Sequence, residues 1–146
     1  MRIQSTLTVA QTRGDVWKFL ADPQNAPKWD RSVASVVVHS PSEVGVGTEV
    51  ETTAPSGMRQ RFRIVEFSPA RRLRFILLKS SIFKTAELVF LLESIPGGTR
   101  ITHEINFTFR FYAMPLYVVI MLTNRKALST DLGFLGRALQ ANANQS

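Results

Sequence analysis

The stretch TRITHEINFTFRF, Thr99–Phe111, alternates apolar and polar side chains almost without a break. A period of two is the period of a β-strand, whose successive side chains point to opposite faces. Ile101, His103, Ile105, Phe107, Phe109 and Phe111 fall on one face; Thr102, Glu104, Asn106, Thr108 and Arg110 fall on the other. A strand with one dry face belongs to a sheet that must bury that face under a second layer. The stretch therefore rules out an all-helical fold and asks which part of the chain supplies the cover.

Similar segments precede it. Ile3–Ala10 alternates at period two, and strands are predicted over Val33–His39, Thr48–Thr53, Arg59–Phe67, Arg72–Lys79 and Phe83–Glu93. The breaks SPSEVGVG, APSG, SPAR and PGG carry turn residues. Short loops between evenly spaced strands predict an antiparallel meander. Their apolar faces carry Val36 and Val38; Val50 with Thr52; Phe62 and Ile64; Leu73, Phe75 and Leu77; and Leu88, Phe90 and Leu92.

Two other periods interrupt the strands. After Ala10, Thr12 is a candidate N-cap with Asp15 three residues on, and Val16, Phe19 and Leu20 form a helical stripe. Pro23 and Pro27 then flank a short helical turn that ends at Trp29. From Met114 to Leu139 apolar residues recur at helical spacing through Tyr117, Met121, Leu128, Leu132, Leu135 and Leu139. Continuous helix over that span is roughly 39 Å long. It is the element long enough to cover the sheet. A curved sheet gripping one long helix does not close completely, so a cavity is expected between them.

The chain has 146 residues, which fits a single domain over 1–146. It has no cysteine, which excludes disulfides and thiolate chemistry. The opening MRIQSTLTVAQ lacks the apolar core of a signal peptide, and the run Phe111–Leu122 is shorter than the about 20 residues of a spanning helix. The expectation is a cytoplasmic protein. The net charge of +7 favours acidic partners, including an anionic membrane surface touched peripherally. Its simpler source is an arginine-decorated outer sheet face: Arg61 with Arg63, Arg72 with Arg74, and Arg110, for which Glu87 and Glu104 are candidate partners. Aromatic residues do not alternate with these arginines on that face, so nucleic acid is not expected as a partner.

The run VAQTRGDVWKFLADPQNAPKWD (Val9–Asp30), followed by GVGT (Gly45–Thr48), VEFSPARRLRF (Val65–Phe75) and GGTRIT (Gly97–Thr102), resembles the START-like helix-grip (SRPBCC) superfamily, nearest its polyketide cyclase/dehydrase and lipid-transport group. The likeness spans essentially the whole chain. It implies an α+β helix-grip fold: a curved antiparallel sheet of about seven strands wrapped around a long C-terminal α-helix, with two short helices after the first strand. It also implies an apolar ligand such as a lipid, isoprenoid, polyketide or aromatic metabolite, or else a cyclase/dehydrase-like reaction without metal.

The candidate ligand-lining residues are Trp29, Val36, Val50, Phe62, Phe75, Phe90, His103, Ile105, Phe107, Tyr117, Met121 and Asn124. Sparse polar groups in an apolar concavity are characteristic of small-molecule sites. His103 stands out as a titratable ring in an apolar row. A neighbouring hydroxyl or backbone group is its first expected partner; a hydrogen bond to ligand and a proton-transfer role stay open. Tyr117 is the second weak catalytic candidate. His39 and His103 are the only histidines, with no spacing that suits a metal, so no metal or cofactor is expected. Two alternatives accompany the binding reading: a cyclase-like enzyme, and a filled-core interaction protein that forms a homodimer through the apolar segment MPLYVVIML.

Overall fold

A computed structural model describes residues 1–39, 43–79, 83–109, 130 and 132–144. The chain forms β1 (Arg2–Val9), α1 (Arg13–Leu20), a 3-10 helix (Pro23–Lys28), β2 (Ser35–His39), β3 (Glu49–Thr53), β4 (Arg59–Ser68), β5 (Arg72–Leu77), β6 (Phe83–Ile95) and β7 (Gly98–Phe109). Residues 132–144 are helical. The seven strands make one antiparallel sheet in the order β1-β7-β6-β5-β4-β3-β2. This is the expected α+β helix-grip architecture. The predicted helix over Met114–Leu139 is described only in its last part, and Tyr117, Met121, Asn124, Arg110 and Phe111 lie outside the described residues.

Local chemistry explains the elements. The Thr12 hydroxyl accepts a hydrogen bond from the Asp15 amide at 3.2 Å and so caps α1. Val16, Phe19 and Leu20 form one stripe of this eight-residue helix and are all buried. Asp22 accepts from the Gln24 amide at 3.0 Å and starts the 3-10 helix, with Pro23 in its first turn. Gly97 supplies the positive φ, 85°, of the β6–β7 turn. At Gly98 a Cβ would stand 1.8 Å from the Val9 carbonyl oxygen, so only glycine lets β1 lie against this end of β7.

Cross-strand register places the apolar residues in rows. Ile3, Ile105, Leu88, Phe75 and Ile64 form one row across five strands; Ser5, His103, Phe90, Leu73 and Phe67 form the next; Leu7, Ile101 and Leu92 a third. Simple alternation from Phe62 and Ile64 would send Phe67 to the outside. A bulge between Ile64 and Glu66 restores it to the inner face, where it meets Trp17 edge-on at 5.0 Å. Val16, Phe19, Leu20, Trp29, Ile64, Leu73, Phe90, Leu92, Ile101, Leu132, Leu135 and Leu139 form the main core. The C-terminal helix therefore covers the sheet as its stripe predicts. Where it crosses β1, a Cβ at Gly136 would lie 3.2 Å from Leu7.

Candidate functional site

Among the described residues, the core of the inner face holds one imidazole, that of His103. His103 is 5% exposed. It lies stacked on Phe90, with ring centroids 4.2 Å apart and planes 9° from parallel. Register alone sets this pair, since Phe90 and His103 are directly opposite on β6 and β7. Trp29 closes the third side. Its indole meets Phe90 edge-on at 5.7 Å and His103 at 6.2 Å. The 3-10 helix just before Trp29 delivers the indole, and Trp29 itself is buried.

Neither ring nitrogen of His103 has a hydrogen-bond partner among the described residues. This corrects the first expectation of a satisfied core histidine. Ser5 is directly opposite His103 on β1, so a hydroxyl was available in sequence and in register. The ring stacks on Phe90 and makes no bond to that hydroxyl. Burial lowers its pKa from 6.5 to about 3, because the imidazolium would lose its hydration with no anion in return. The group is accordingly a neutral imidazole at physiological pH, with one donor and one acceptor aimed at nothing among the described residues.

The other predicted lining residues are placed as follows. Ile105 and Phe75 share one row and are half-buried. Val50 and Phe62 are directly opposite on β3 and β4, and Val50 is buried. Val36 is opposite Thr52 at the β2 edge, remote from the His103 ring cluster in strand order. Phe107 is buried in a second, smaller cluster with Ile3, against which Phe83, Ile105 and Phe109 pack. Trp29, Phe90 and His103 are thus the predicted residues that meet ring to ring. No group of three or more His, Cys, Asp or Glu suited to a metal occurs among the described residues.

An open concavity of about 690 Å³ lies toward the end of the sheet bearing Phe107. Ile76, Glu87, Asn106 and Arg2 form one outward-facing row along it, with Thr85 and Thr108 in the next. Met1, Leu77, Lys84, Ala86 and Phe107 complete its lining. It shares only Phe107 with the predicted site and does not reach the His103 ring cluster.

A second feature escaped the sequence reading. Phe134, half-buried against the core cluster that contains Trp29 and Phe90, has two guanidiniums beside it: Arg31 at 5.1 Å and Arg137 at 5.2 Å from its ring centroid. The i, i+3 spacing of Phe134 and Arg137 on a helix was the available signal for half of this arrangement. Arg31 joins through tertiary packing alone.

Solved structures share the fold. TTHA0849 from Thermus thermophilus superposes with a TM-score of 0.78 at 16% identity, over 97% of this chain and 99% of its own. The Zhui aromatase/cyclase from Streptomyces sp. R1128 does so at 0.74 and 18%, over 94% and 93%. The di-domain aromatase/cyclase StfQ of the steffimycin biosynthetic pathway does so at 0.77 and 14%, over 98% of this chain and 52% of its own. In sequence, an uncharacterized protein of Mycobacterium tuberculosis is 27% identical over 101 residues, 68% of this chain. The chain spans 60% of the length of that relative. The family model for polyketide cyclase/dehydrase and lipid transport matches residues 1–143, and the chain belongs to that family.

Proposed function

We propose that this protein binds a small, largely apolar molecule over the inner face of the sheet, with His103 as the polar contact that orients it. The observation that carries this reading is the buried imidazole with two unpartnered nitrogens inside a Trp29–Phe90 aromatic wall. A buried polar atom left without a partner costs about 1–3 kcal/mol. A ligand hydroxyl or carbonyl at His103 removes that cost on binding and gives the site its selectivity. The ligand atom at His103 is uncharged, because the surrounding groups offer an ion no compensation.

The family and the two aromatase/cyclase neighbours support a second reading, in which the pocket folds a flexible chain and promotes its cyclisation. The low pKa argues against it: an imidazole near 3 is a weak proton acceptor at neutral pH. We therefore favour a carrier or binding role. The test is native mass spectrometry of protein taken directly from cells, paired with titration of 2-naphthol and naphthalene. Binding predicts a co-purified apolar adduct and tighter binding of the naphthol, a preference that His103→Phe abolishes. Absence of any adduct together with no affinity for either ring compound would refute the reading.

A further inference from the structure

Most cations on the sheet have a carboxylate. Glu49 faces Arg61 and Arg63, Glu66 faces Arg72 and Arg74, Glu87 faces Arg74, Glu93 faces Arg100 and Glu104 faces Arg2. Arg31 and Arg137 differ. They converge on one aromatic ring, and neither has a carboxylate within ion-pair distance among the described residues. Asp30, the nearest acid in sequence to Arg31, is turned into its own loop, where one oxygen accepts from the Ser32 amide at 2.9 Å and hydroxyl at 2.6 Å. A third cation, Lys28, comes from the same segment and sits 5.9 Å from the Phe19 ring. The two guanidiniums stand 5.1 and 5.2 Å from one ring centroid, and their planar forks match the geometry of a carboxylate or phosphate. The Phe134 ring packs on the core cluster that contains Trp29 and Phe90, and both of those rings meet His103.

We propose that Arg31 and Arg137, gathered at Phe134, bind the oxyanionic head, a carboxylate or phosphate, of a ligand whose apolar body lies toward Trp29 and His103. This rests on the binding role proposed above and makes the ligand amphipathic. Trp29 and Arg31, two residues apart in one loop, serve its two ends.

Calorimetric titration with decanoate, decyl phosphate and 1-decanol tests it at one chain length. Both anions bind about tenfold tighter than the alcohol, and the double variant Arg31→Gln/Arg137→Gln binds all three alike while keeping the wild-type affinity for decanol and the wild-type melting temperature. Equal affinity for all three in the unmodified protein, or a preference that survives the double variant, overturns the clamp and leaves the apolar site standing. Binding of none of them overturns the apolar site and the clamp together. Inorganic phosphate bound as tightly as decyl phosphate would make this a free-anion site. Sedimentation with phosphatidylglycerol vesicles but not phosphatidylcholine vesicles, lost in the double variant and without discrimination among the decyl compounds, would make it a membrane contact. Either result overturns the assignment to a ligand head.

Discussion

The two faces of the sheet are built by the same strands and solve opposite problems. On the outer face, charged side chains find one another across the strands. Arg74 bridges Glu66 at 3.8 Å and Glu87 at 3.4 Å, and Glu87 also accepts from Asn106 at 3.1 Å. Glu104 is only 7% exposed on this face, with Arg2 as its ion-pair partner. On the inner face the His103 ring lies in apolar company and is left without a partner among the described residues. Glu49, Glu66, Glu87 and Glu104 on the outer face each meet an arginine on a neighbouring strand. The same chance existed for His103, with Ser5 opposite, and was not taken. His103 differs from the outer arginines in kind: Arg72 and Arg74 leave a guanidinium Nε without a hydrogen bond but keep a carboxylate within ion-pair distance, whereas neither nitrogen of the imidazole has any polar partner among the described residues.

Removing apolar volume from the inner face should cost the fold most. Ile101 is fully buried in the main core, where β7 meets β1 and β6. Ile101→Ala should lower unfolding free energy by about 3 kcal/mol in urea titration, since transfer and cavity terms add. A loss under about 1 kcal/mol would mean the core collapses around the change and that the inner face is not rigidly packed there.

A smaller effect, and one that changes sign with conditions, is expected at His103 itself. Replacing it with phenylalanine keeps a ring on Phe90 and removes two unsatisfied buried atoms. At pH 7.5, His103→Phe should stabilise the fold by about 1–2 kcal/mol while weakening ligand selectivity. The pH dependence is sharper evidence. The folded pKa of about 3 lies below the unfolded value of 6.5, so the unfolded chain binds the proton more readily. Stability from this group is complete above pH 6.5 and is lost as pH falls toward 3, by about 1.4 kcal/mol per unit. Denaturant midpoints measured between pH 7 and 4 should show this slope in the wild type and lose it in His103→Phe. An unchanged slope would place the imidazole in contact with water or an anion.

Much of this contrast was legible in the sequence. Period two gave the strands of both faces, and Glu87 and Glu104 were readable as partners for outer-face arginines because alternation fixes their side. The turn residues set most strand ends to within a few positions. What was not legible depends on register and closure. Nothing local says that β1 pairs with β7, and only that pairing puts Ser5 beside His103 and buries Glu104 between strands. The bulge after Ile64 shifts Phe67 to the inner face against its parity. The Trp29–Phe90–His103 cluster joins a 3-10 helix to two strands more than sixty residues away in sequence, and the meeting of Arg31 with the Phe134 ring is a contact of the same long-range kind. Sequence periodicity assigns a residue to a face; it does not say which neighbour on that face it will touch.

On the outer face the expected effect is smaller still. Arg74 joins β4, β5 and β6 through Glu66 and Glu87, yet its side chain is 36% exposed and its partners are about a third exposed. Water screens such pairs, and each contributes about 0–1 kcal/mol. Arg74→Gln should therefore cost no more than about 1 kcal/mol in 20 mM salt and less in 0.5 M salt, because added ions screen exposed charges first. The test is the difference in denaturation midpoint between the two salt concentrations, compared for wild type and variant. If the variant instead lost several kcal/mol, insensitive to salt, the outer network would be a desolvated core feature like the inner ring cluster. The two faces would then differ in composition but not in how they hold the sheet together. A small, salt-dependent loss keeps the distinction: the outer face is a neutralised surface, and the unpartnered imidazole on the inner face is the polar group that the proposed ligand would satisfy.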